Sequence, residues 1–192
     1  LIIFDMHHII SDGISMGILI EEFTRLYQGQ ELAELSIQYK DYALWQNRLL
    51  EGDQIKRQEN YWLNKFSDEI PVLNLPTDYP RPNRQTYDGD KIIVGLDGRL
   101  TNQLYELAHG TDSTIYMVLL SAINIMLSKY SGQEDIIVGT PIANRLHTDL
   151  EKVIGMFVNT LAIRNYSQGD MSYEQFLKEV KQNALEAFQN QD

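Results

Sequence analysis

The pattern of apolar and polar residues along the chain predicts both helices and strands. Apolar residues recur at helical spacing in the segments 14–28, 37–50, 54–66, 100–109, 114–130 and 172–189. Short, mostly apolar runs that are typical of strands occupy the segments 1–6, 91–96, 135–143 and 158–164. We therefore expect an α/β protein of the mixed α+β type.

The predicted helices differ in how clearly the sequence marks them. In 172–189, Ser172 and Gln175 match a capping box, and one face is apolar: Tyr173, Phe176, Val180, Ala184 and Ala187. The segment 114–130 is apolar almost all round, so we expect that helix to be buried. In 14–28, helical spacing links Leu19, Phe23, Leu26 and Tyr27, which predicts an amphipathic helix.

The segment 71–90 interrupts these patterns and predicts a connector. It holds four of the five prolines of the chain, and each proline fixes φ and removes a backbone donor. We therefore expect two lobes, 1–70 and 91–192, joined by residues 71–90.

Composition narrows the classes of partner and compartment. The formal net charge is −11, and no basic stripe offsets it, so we expect no nucleic-acid partner. No apolar run approaches the length of a membrane span, so we expect no membrane partner. Cysteine is absent, which excludes disulfides and thiolate chemistry and fits a reducing compartment. We expect a cytoplasmic protein.

The stretch "HHIISDG" at 7–13 is the strongest candidate for chemistry. An imidazole is the side chain best suited to move a proton near neutral pH, provided that its orientation is held. Asp12, four residues after His8, is placed to orient that ring or to brace the loop. Gly13 would permit a turn that a Cβ obstructs, and the N-terminal dipole of the following helix points back towards the loop.

Other interpretations of the same stretch stay open. His7 and His8 are also compatible with residues at a strand end whose hydrogen bonds are satisfied, and Asp12 is also a typical helix N-cap. Two histidines and an aspartate are compatible with a metal site as well. Adjacent strand residues point to opposite faces, however, so His7 and His8 are poorly placed to share one ion. We expect no metal.

This stretch resembles the HHxxxDG motif of the condensation domains of nonribosomal peptide synthetases, relatives of chloramphenicol acetyltransferase. Other segments resemble further motifs of that family, in the family's order: "YKDYALW" at 39–45, "GTPIANR" at 139–145, "IGMFVNTLAIR" at 154–164 and the beginning of one more in "NQD" at 190–192. The resemblance extends along the whole chain. Since the family's domain is much longer than this chain, the resemblance implies an internal fragment.

The resemblance implies a fold and an activity. The fold would be two chloramphenicol acetyltransferase-like lobes with an active-site tunnel between them. Residues 1–70 would form the C-terminal part of an incomplete first lobe, and 91–192 most of a second lobe truncated at its end. The activity would be peptide-bond formation, which transfers an acyl or peptidyl thioester donor onto the amine of an aminoacyl acceptor. No cofactor would bind directly, because both substrates arrive on the 4'-phosphopantetheine arms of upstream and downstream peptidyl carrier proteins, beside an adenylation domain.

The resemblance also implies roles for single residues. His8 matches the catalytic histidine of the family, in a loop supported by His7, Asp12 and Gly13. Asp12 is expected to pair with an arginine, which is either upstream of this chain or Arg145. Residues 154–160 are expected to line the tunnel or to form a structural strand crossing. The candidate tunnel or substrate-binding residues are Gly155, Met156, Val158, Asn159, Thr160 and Arg145.

Alternatives remain within and outside this activity. An epimerisation domain of the same family has a similar histidine motif, whereas a heterocyclisation domain is disfavoured because an aspartate replaces its first histidine. The chain is also compatible with a non-catalytic fragment that keeps only a surface for docking carrier proteins. Because most of the first lobe would be missing, we expect the isolated chain to expose apolar sheet edges and to self-associate or be inactive.

Overall fold

A computed structural model of the protein describes residues 3–84 and 86–192. Its helices are α1 (Gly13–Tyr27), α2 (Tyr39–Leu50), α3 (Asp53–Lys65), α4 (Gly98–Gly110), α5 (Ile115–Ser131) and α6 (Tyr173–Gln189). The strands β1 (Asp135–Ile142) and β2 (Asn159–Tyr166) pair in a two-stranded sheet, and short 3₁₀ turns lie at His8–Ile10 and Thr148–Leu150. The expectation of mixed helices and strands is confirmed.

Local capping explains why the helices begin where they do. The Asp12 carboxylate accepts a hydrogen bond from the Ser15 amide at 2.8 Å and so caps α1, as an N-cap aspartate does. At α6 the capping box forms as expected: the Ser172 amide donates to Gln175 Oε1 at 3.0 Å, and the Gln175 amide donates to Ser172 Oγ at 3.3 Å. Each helix lies within two residues of its predicted bounds.

The chain divides into two compact units. The first comprises the residues up to Ser67 together with 139–161 and 190–192. Its buried cluster is Tyr42, Leu150, Val153 and Phe157, with Leu35, Ile37 and Tyr39 packed against it. This cluster lies beside the candidate site, because Phe157 belongs both to the cluster and to the stretch 154–160.

The second unit comprises residues 68–138 and 162–189. Helix α5 packs against α4 and α6, and the apolar face of α6 is buried at Phe176, Leu177, Val180, Ala184 and Ala187. Residues 71–90, apart from residue 85, contain neither helix nor strand. The assignment of 1–70 and 91–192 to two lobes stays a prediction.

Two of the predicted strands do not form within the described residues. Residues 91–96 contain no strand, and Ile92 and Ile93 are each 92% exposed. Residues 3–6 likewise contain no strand and are exposed, while residues 1 and 2 of that prediction lie outside the described residues. A strand depends on hydrogen bonds to a neighbouring strand, and within the described residues only β1 and β2 pair.

The prediction that α5 is buried holds for only part of its surface. Met117, Val118, Leu120, Ser121 and Asn124 are buried, whereas Leu119, Ile123, Met126 and Tyr130 are exposed. On the amphipathic helix α1, Phe23, Leu26 and Tyr27 are exposed, and the buried side chains are Ser15 and Ile18. Apolar spacing identifies a helix face, whereas burial depends on which neighbour covers that face.

No single helix among the described residues is long and apolar enough to cross a bilayer. Helices α4 and α5 meet that criterion only when they are taken together, and they are bent by 104° at the break between them.

Candidate functional site

The histidine pair lies in an exposed 3₁₀ turn, not on a strand. His8 is the first residue of the turn His8–Ile10, and His7 is its N-cap. The Nδ1 atom of His7 accepts a hydrogen bond from the Ile9 amide at 3.1 Å. Both imidazoles are exposed. Because the two histidines lie at this turn and not on a strand, the alternation of side chains along a strand does not determine their directions. No cluster of three or more potential metal ligands occurs among residues 3–84 and 86–192.

Asp12, four residues further on, is buried and fully bonded. Its Oδ1 accepts hydrogen bonds from the Ser15 amide and the Ser15 hydroxyl, both at 2.8 Å. Its Oδ2 accepts from the Phe157 amide at 3.1 Å. An Arg145 guanidinium nitrogen lies 3.2 Å from Oδ1. With its oxygens engaged in this way, the Asp12 carboxylate braces the loop and the start of α1.

These donors favour the ionised form of Asp12. Burial by itself would raise the pKa of the carboxyl, but the Ser15 and Phe157 hydrogen bonds and the Arg145 charge outweigh it and hold the pKa below its usual value. The other terminal nitrogen of Arg145 donates to the carbonyls of Leu150 and Val153, whereas its Nε has no hydrogen-bond partner among the described residues. The guanidinium also lies 4.0 Å above the Phe157 ring.

The backbone of each of residues 155–157 forms a hydrogen bond with a residue distant in sequence. The Ser15 hydroxyl bonds both the amide and the carbonyl of Gly155, at 3.0 and 2.8 Å. The Tyr39 hydroxyl donates to the Met156 carbonyl at 2.8 Å, and the Phe157 amide donates to Asp12. A Cβ on Gly155 would lie 2.1 Å from Tyr39 Cδ2, so only glycine fits under that ring without displacing it.

The remaining candidate residues follow this segment along the chain. Val158 is half-buried, and Asn159 and Thr160 are exposed at the start of β2. The Asn159 amide nitrogen donates to the Gln191 carbonyl at 3.0 Å, and its Oδ1 accepts from the Thr160 amide at 2.8 Å. The Asn159 side chain therefore also fastens residues 190–192 to the start of β2.

The steric reason predicted for Gly13 is wrong. Gly13 is the first residue of α1, its φ is not positive, and no described heavy atom lies within 4 Å of the position that a Cβ would occupy. The turn is held instead by its neighbour Asp12, whose carboxylate caps the helix.

Comparison with known proteins identifies the family of this chain. The family model described as "Condensation domain" matches residues 1–192. The chain belongs to the condensation domain family. Gramicidin S synthase 2 of Brevibacillus brevis is 59% identical over 191 residues, and tyrocidine synthase 3 of Brevibacillus parabrevis is 56% identical over 192. Each alignment covers 100% of this chain but only 4% and 3%, respectively, of the synthase.

Solved structures show the same fold as this condensation-domain chain. A four-domain nonribosomal peptide synthetase bound to AMP and glycine is 26% identical, with a TM-score of 0.87, over 97% of this chain and 14% of the other. The X-domain from teicoplanin biosynthesis is 25% identical, with a TM-score of 0.86, over 97% of this chain and 44% of the other. The first condensation domain of the calcium-dependent antibiotic synthetase, at 21% identity and a TM-score of 0.74, shows the likeness of fold alone. The chloramphenicol acetyltransferase-like fold class is confirmed.

Sequence reasoning missed two residues of this condensation-domain site. Ser15 contacts Asp12, Arg145 and Gly155, and its position three residues after an N-cap was the available signal. The Tyr39 ring packs against Tyr42 of the same helix and against Phe157. Its hydroxyl bond to Met156 had no signal in the sequence, because the two residues are 117 positions apart.

Proposed function

We propose that this chain provides the HHxxxDG loop of a condensation domain that forms peptide bonds between carrier-bound substrates. The observation that supports this proposal best is the contrast within the loop. Asp12 is buried and held by Ser15, Phe157 and Arg145, while His8 stands exposed four residues before it. A group that transfers a proton must be accessible to its substrate, and the loop that carries it must be held rigidly.

Neither the leaving group nor the attacking amine would need strong acid or base catalysis. The donor is an acyl or peptidyl thioester, whose thiol leaving group has a pKa near ~8.5 and departs without prior protonation. The acceptor is an aminoacyl thioester, whose α-amine has a pKa near ~8 and is partly neutral at pH 7. The proton that needs management is the one that the nitrogen carries after it attacks.

His8 would manage that proton. The amine nitrogen attacks the thioester carbonyl carbon, and a C–N bond forms as the carbonyl electrons move to oxygen. The His8 imidazole accepts the proton from nitrogen, or hydrogen-bonds the amine to direct it. The C–S bond then breaks, and the thiolate takes a proton from the imidazolium or from water. General-base assistance of this kind is typically worth ~10²–10⁴-fold in rate. No acyl-enzyme is required.

The other candidate residues would have separate tasks. Arg145 is engaged by Asp12 and two carbonyls, so we assign it to support of the loop and not to substrate. Residues 155–160 would line the path of a phosphopantetheine arm, with Asn159 and Thr160 exposed at its end. The substrates would come from upstream and downstream peptidyl carrier proteins, beside an adenylation domain.

The test is an amide-forming assay in the native polypeptide that contains this chain. Donor- and acceptor-loaded carriers are mixed, and the peptidyl product is measured for His8→Ala and for the control His109→Ala. His109 is an exposed histidine in the last turn of α4. We expect a loss of about 10²-fold or more for His8→Ala and normal turnover for His109→Ala. Turnover of His8→Ala within a few-fold of the unaltered protein would overturn the proposal.

The same assay separates the alternative functions. An epimerisation domain would invert the donor residue without forming an amide, which chiral analysis of the released donor detects. A surface that only docks carriers would bind them in a titration, give no product, and be unaffected by His8→Ala.

A further inference from the structure

The Ser15 hydroxyl lies where the HHxxxDG loop meets residues 155–157. Ser15 is the third residue of α1 and is completely buried. Its hydroxyl bonds three groups: the Asp12 carboxylate, the Arg145 guanidinium and the Gly155 peptide. Asp12 is close in sequence, whereas Arg145 and Gly155 are 130 and 140 positions away. A serine in a helix usually points to solvent or bonds the backbone of its own helix. The bonds of Ser15 to Arg145 and Gly155 are therefore unusual.

The bonds of this hydroxyl use all of its capacity. A serine hydroxyl has one proton to donate and two lone pairs that accept. Both lone pairs are taken, by the Gly155 amide and by Arg145 Nη2, each at 3.0 Å. The one proton lies between two acceptors, Asp12 Oδ1 and the Gly155 carbonyl, each at 2.8 Å. A buried, saturated hydroxyl of this kind has no capacity to act as a nucleophile.

The shared proton links two segments 140 residues apart. When it points to Asp12, it adds a donor to the carboxylate that caps α1 and closes the loop after His8. When it points to Gly155, it adds a donor to the segment that Tyr39 and Asp12 hold at its next two residues. A shift of either segment therefore changes the bonds available to the other.

We propose that Ser15 is a positioning residue for the condensation reaction: its hydroxyl aligns the loop that bears His8 with residues 155–157. This inference rests on the proposed function. Ser15 would act through Asp12 and Gly155 and would not touch substrate. Loss of the hydroxyl would leave the Gly155 amide without its acceptor in a buried site and would remove one of several acceptors of Arg145. An unsatisfied buried donor is costly, and the loop would then adopt other positions.

The first test measures kcat and KM in the native polypeptide, per folded molecule, for Ser15→Ala, Asp12→Asn and the double variant. The matched control is Ser121→Ala, which removes another fully buried hydroxyl, bonded to the Val118 carbonyl and to Tyr173 on the second unit. We expect Ser15→Ala to lower kcat roughly tenfold or more, with the carrier KM within about twofold and with Ser121→Ala normal. Because Ser15 and Asp12 hold the same loop, the loss in the double variant should be smaller than the product of the two single losses.

The second test removes the effect of a change in volume. Ser15→Thr and Ser15→Val have nearly the same shape but differ in the hydroxyl, so any steric cost is common to both. We expect Ser15→Thr to turn over roughly tenfold faster than Ser15→Val. Equal kcat for this pair, normal kcat for Ser15→Ala, or losses that multiply in the double variant would each overturn the inference.

The two proposals fail in different ways. If His8→Ala retains turnover in the same assay, the proposed function is wrong, and the proposed role of Ser15 is wrong as well. If His8→Ala is inactive while the Ser15 variants are normal, only the role of Ser15 is wrong.

Discussion

The two halves of the HHxxxDG stretch differ in almost every physical respect. Residues 7–10 form an exposed 3₁₀ turn whose side-chain anchor is a single bond from the Ile9 amide to His7. Ser11 and Asp12 are buried, Gly13 is exposed, and Asp12 bonds Phe157, Arg145 and the buried Ser15 just beyond the stretch. Helix α1 begins at Gly13, directly after Asp12.

The difference indicates which residues of the stretch contribute to the free energy of unfolding. The buried half is determined by contacts that the chain makes with itself, whereas the half with the candidate catalytic imidazole makes few. Substitutions in the two halves should therefore separate stability from activity. Residues that react are commonly held this way, on a segment positioned by a rigid neighbour.

The largest effect on stability is expected for Asp12→Ala. It leaves the Arg145 guanidinium, 5% exposed at its side chain, without its carboxylate, and removing one partner of a buried pair costs about 3–5 kcal/mol. His8→Ala should leave the free energy of unfolding within about 0.5 kcal/mol, because the ring is exposed. Urea unfolding of the chain measures both. Similar costs for the two variants would contradict the contrast between the two halves.

The next largest effect is expected for Gly155→Ala. The added Cβ would lie 2.1 Å from the Tyr39 ring, so the ring or the segment must move, at a cost of about 1–3 kcal/mol. The control is Gly17→Ala within α1, where nothing lies within 4 Å of the new Cβ; it should gain about 0.4–1 kcal/mol. Differences in the urea midpoint give both values, and a neutral Gly155→Ala would mean that the contact is not tight.

A smaller effect is expected for Tyr39→Phe. The substitution removes the 2.8 Å bond to the Met156 carbonyl and keeps the ring against Phe157, so it should cost about 0.5–1.5 kcal/mol. Tyr105→Phe, at an exposed position on α4, is the control and should be close to neutral. If thermal unfolding shows no difference between them, the Tyr39 hydroxyl does not hold the segment.

The smallest effect is expected on acidification. The pKa of Asp12 is lowered in the folded state, so its stabilising contribution is complete above the unfolded value of about 3.9 and is lost as pH falls through the folded pKa. The stability difference between the unaltered chain and Asp12→Asn should therefore be constant at neutral pH and should narrow below about pH 4. Unfolding curves at a series of pH values measure it, and a difference that stays constant down to pH 2 would exclude this ionisation as the cause.

Salt provides a control for that measurement. Hydrogen bonding by Lys181 lowers the pKa of Asp112 as well, but this carboxylate is fully exposed. Added salt screens exposed charges far more than buried ones. The contribution of Asp12 should consequently persist in high salt, while that of Asp112 should fade.

The accuracy of the sequence-based predictions follows the range of the interactions involved. Helices bond within their own segment, so their periodicity and caps predicted all six to within two residues. The apolar run at 91–96 has the composition of a strand but no partner among the described residues, and it stays irregular. The exposed Phe23 and Leu26 on α1 show the same limit for burial.

The candidate site divides in the same manner. The sequence by itself determined the family, the N-cap role available to Asp12 and the presence of two histidines beside it, because each depends on residues that are close along the chain. Only the tertiary structure decided that Arg145, 133 positions away, is the partner of Asp12, and that Ser15 and Tyr39 hold residues 155 and 156. The physical reason is that a buried charge is stable only where several donors converge on it, and folding alone brings those donors together.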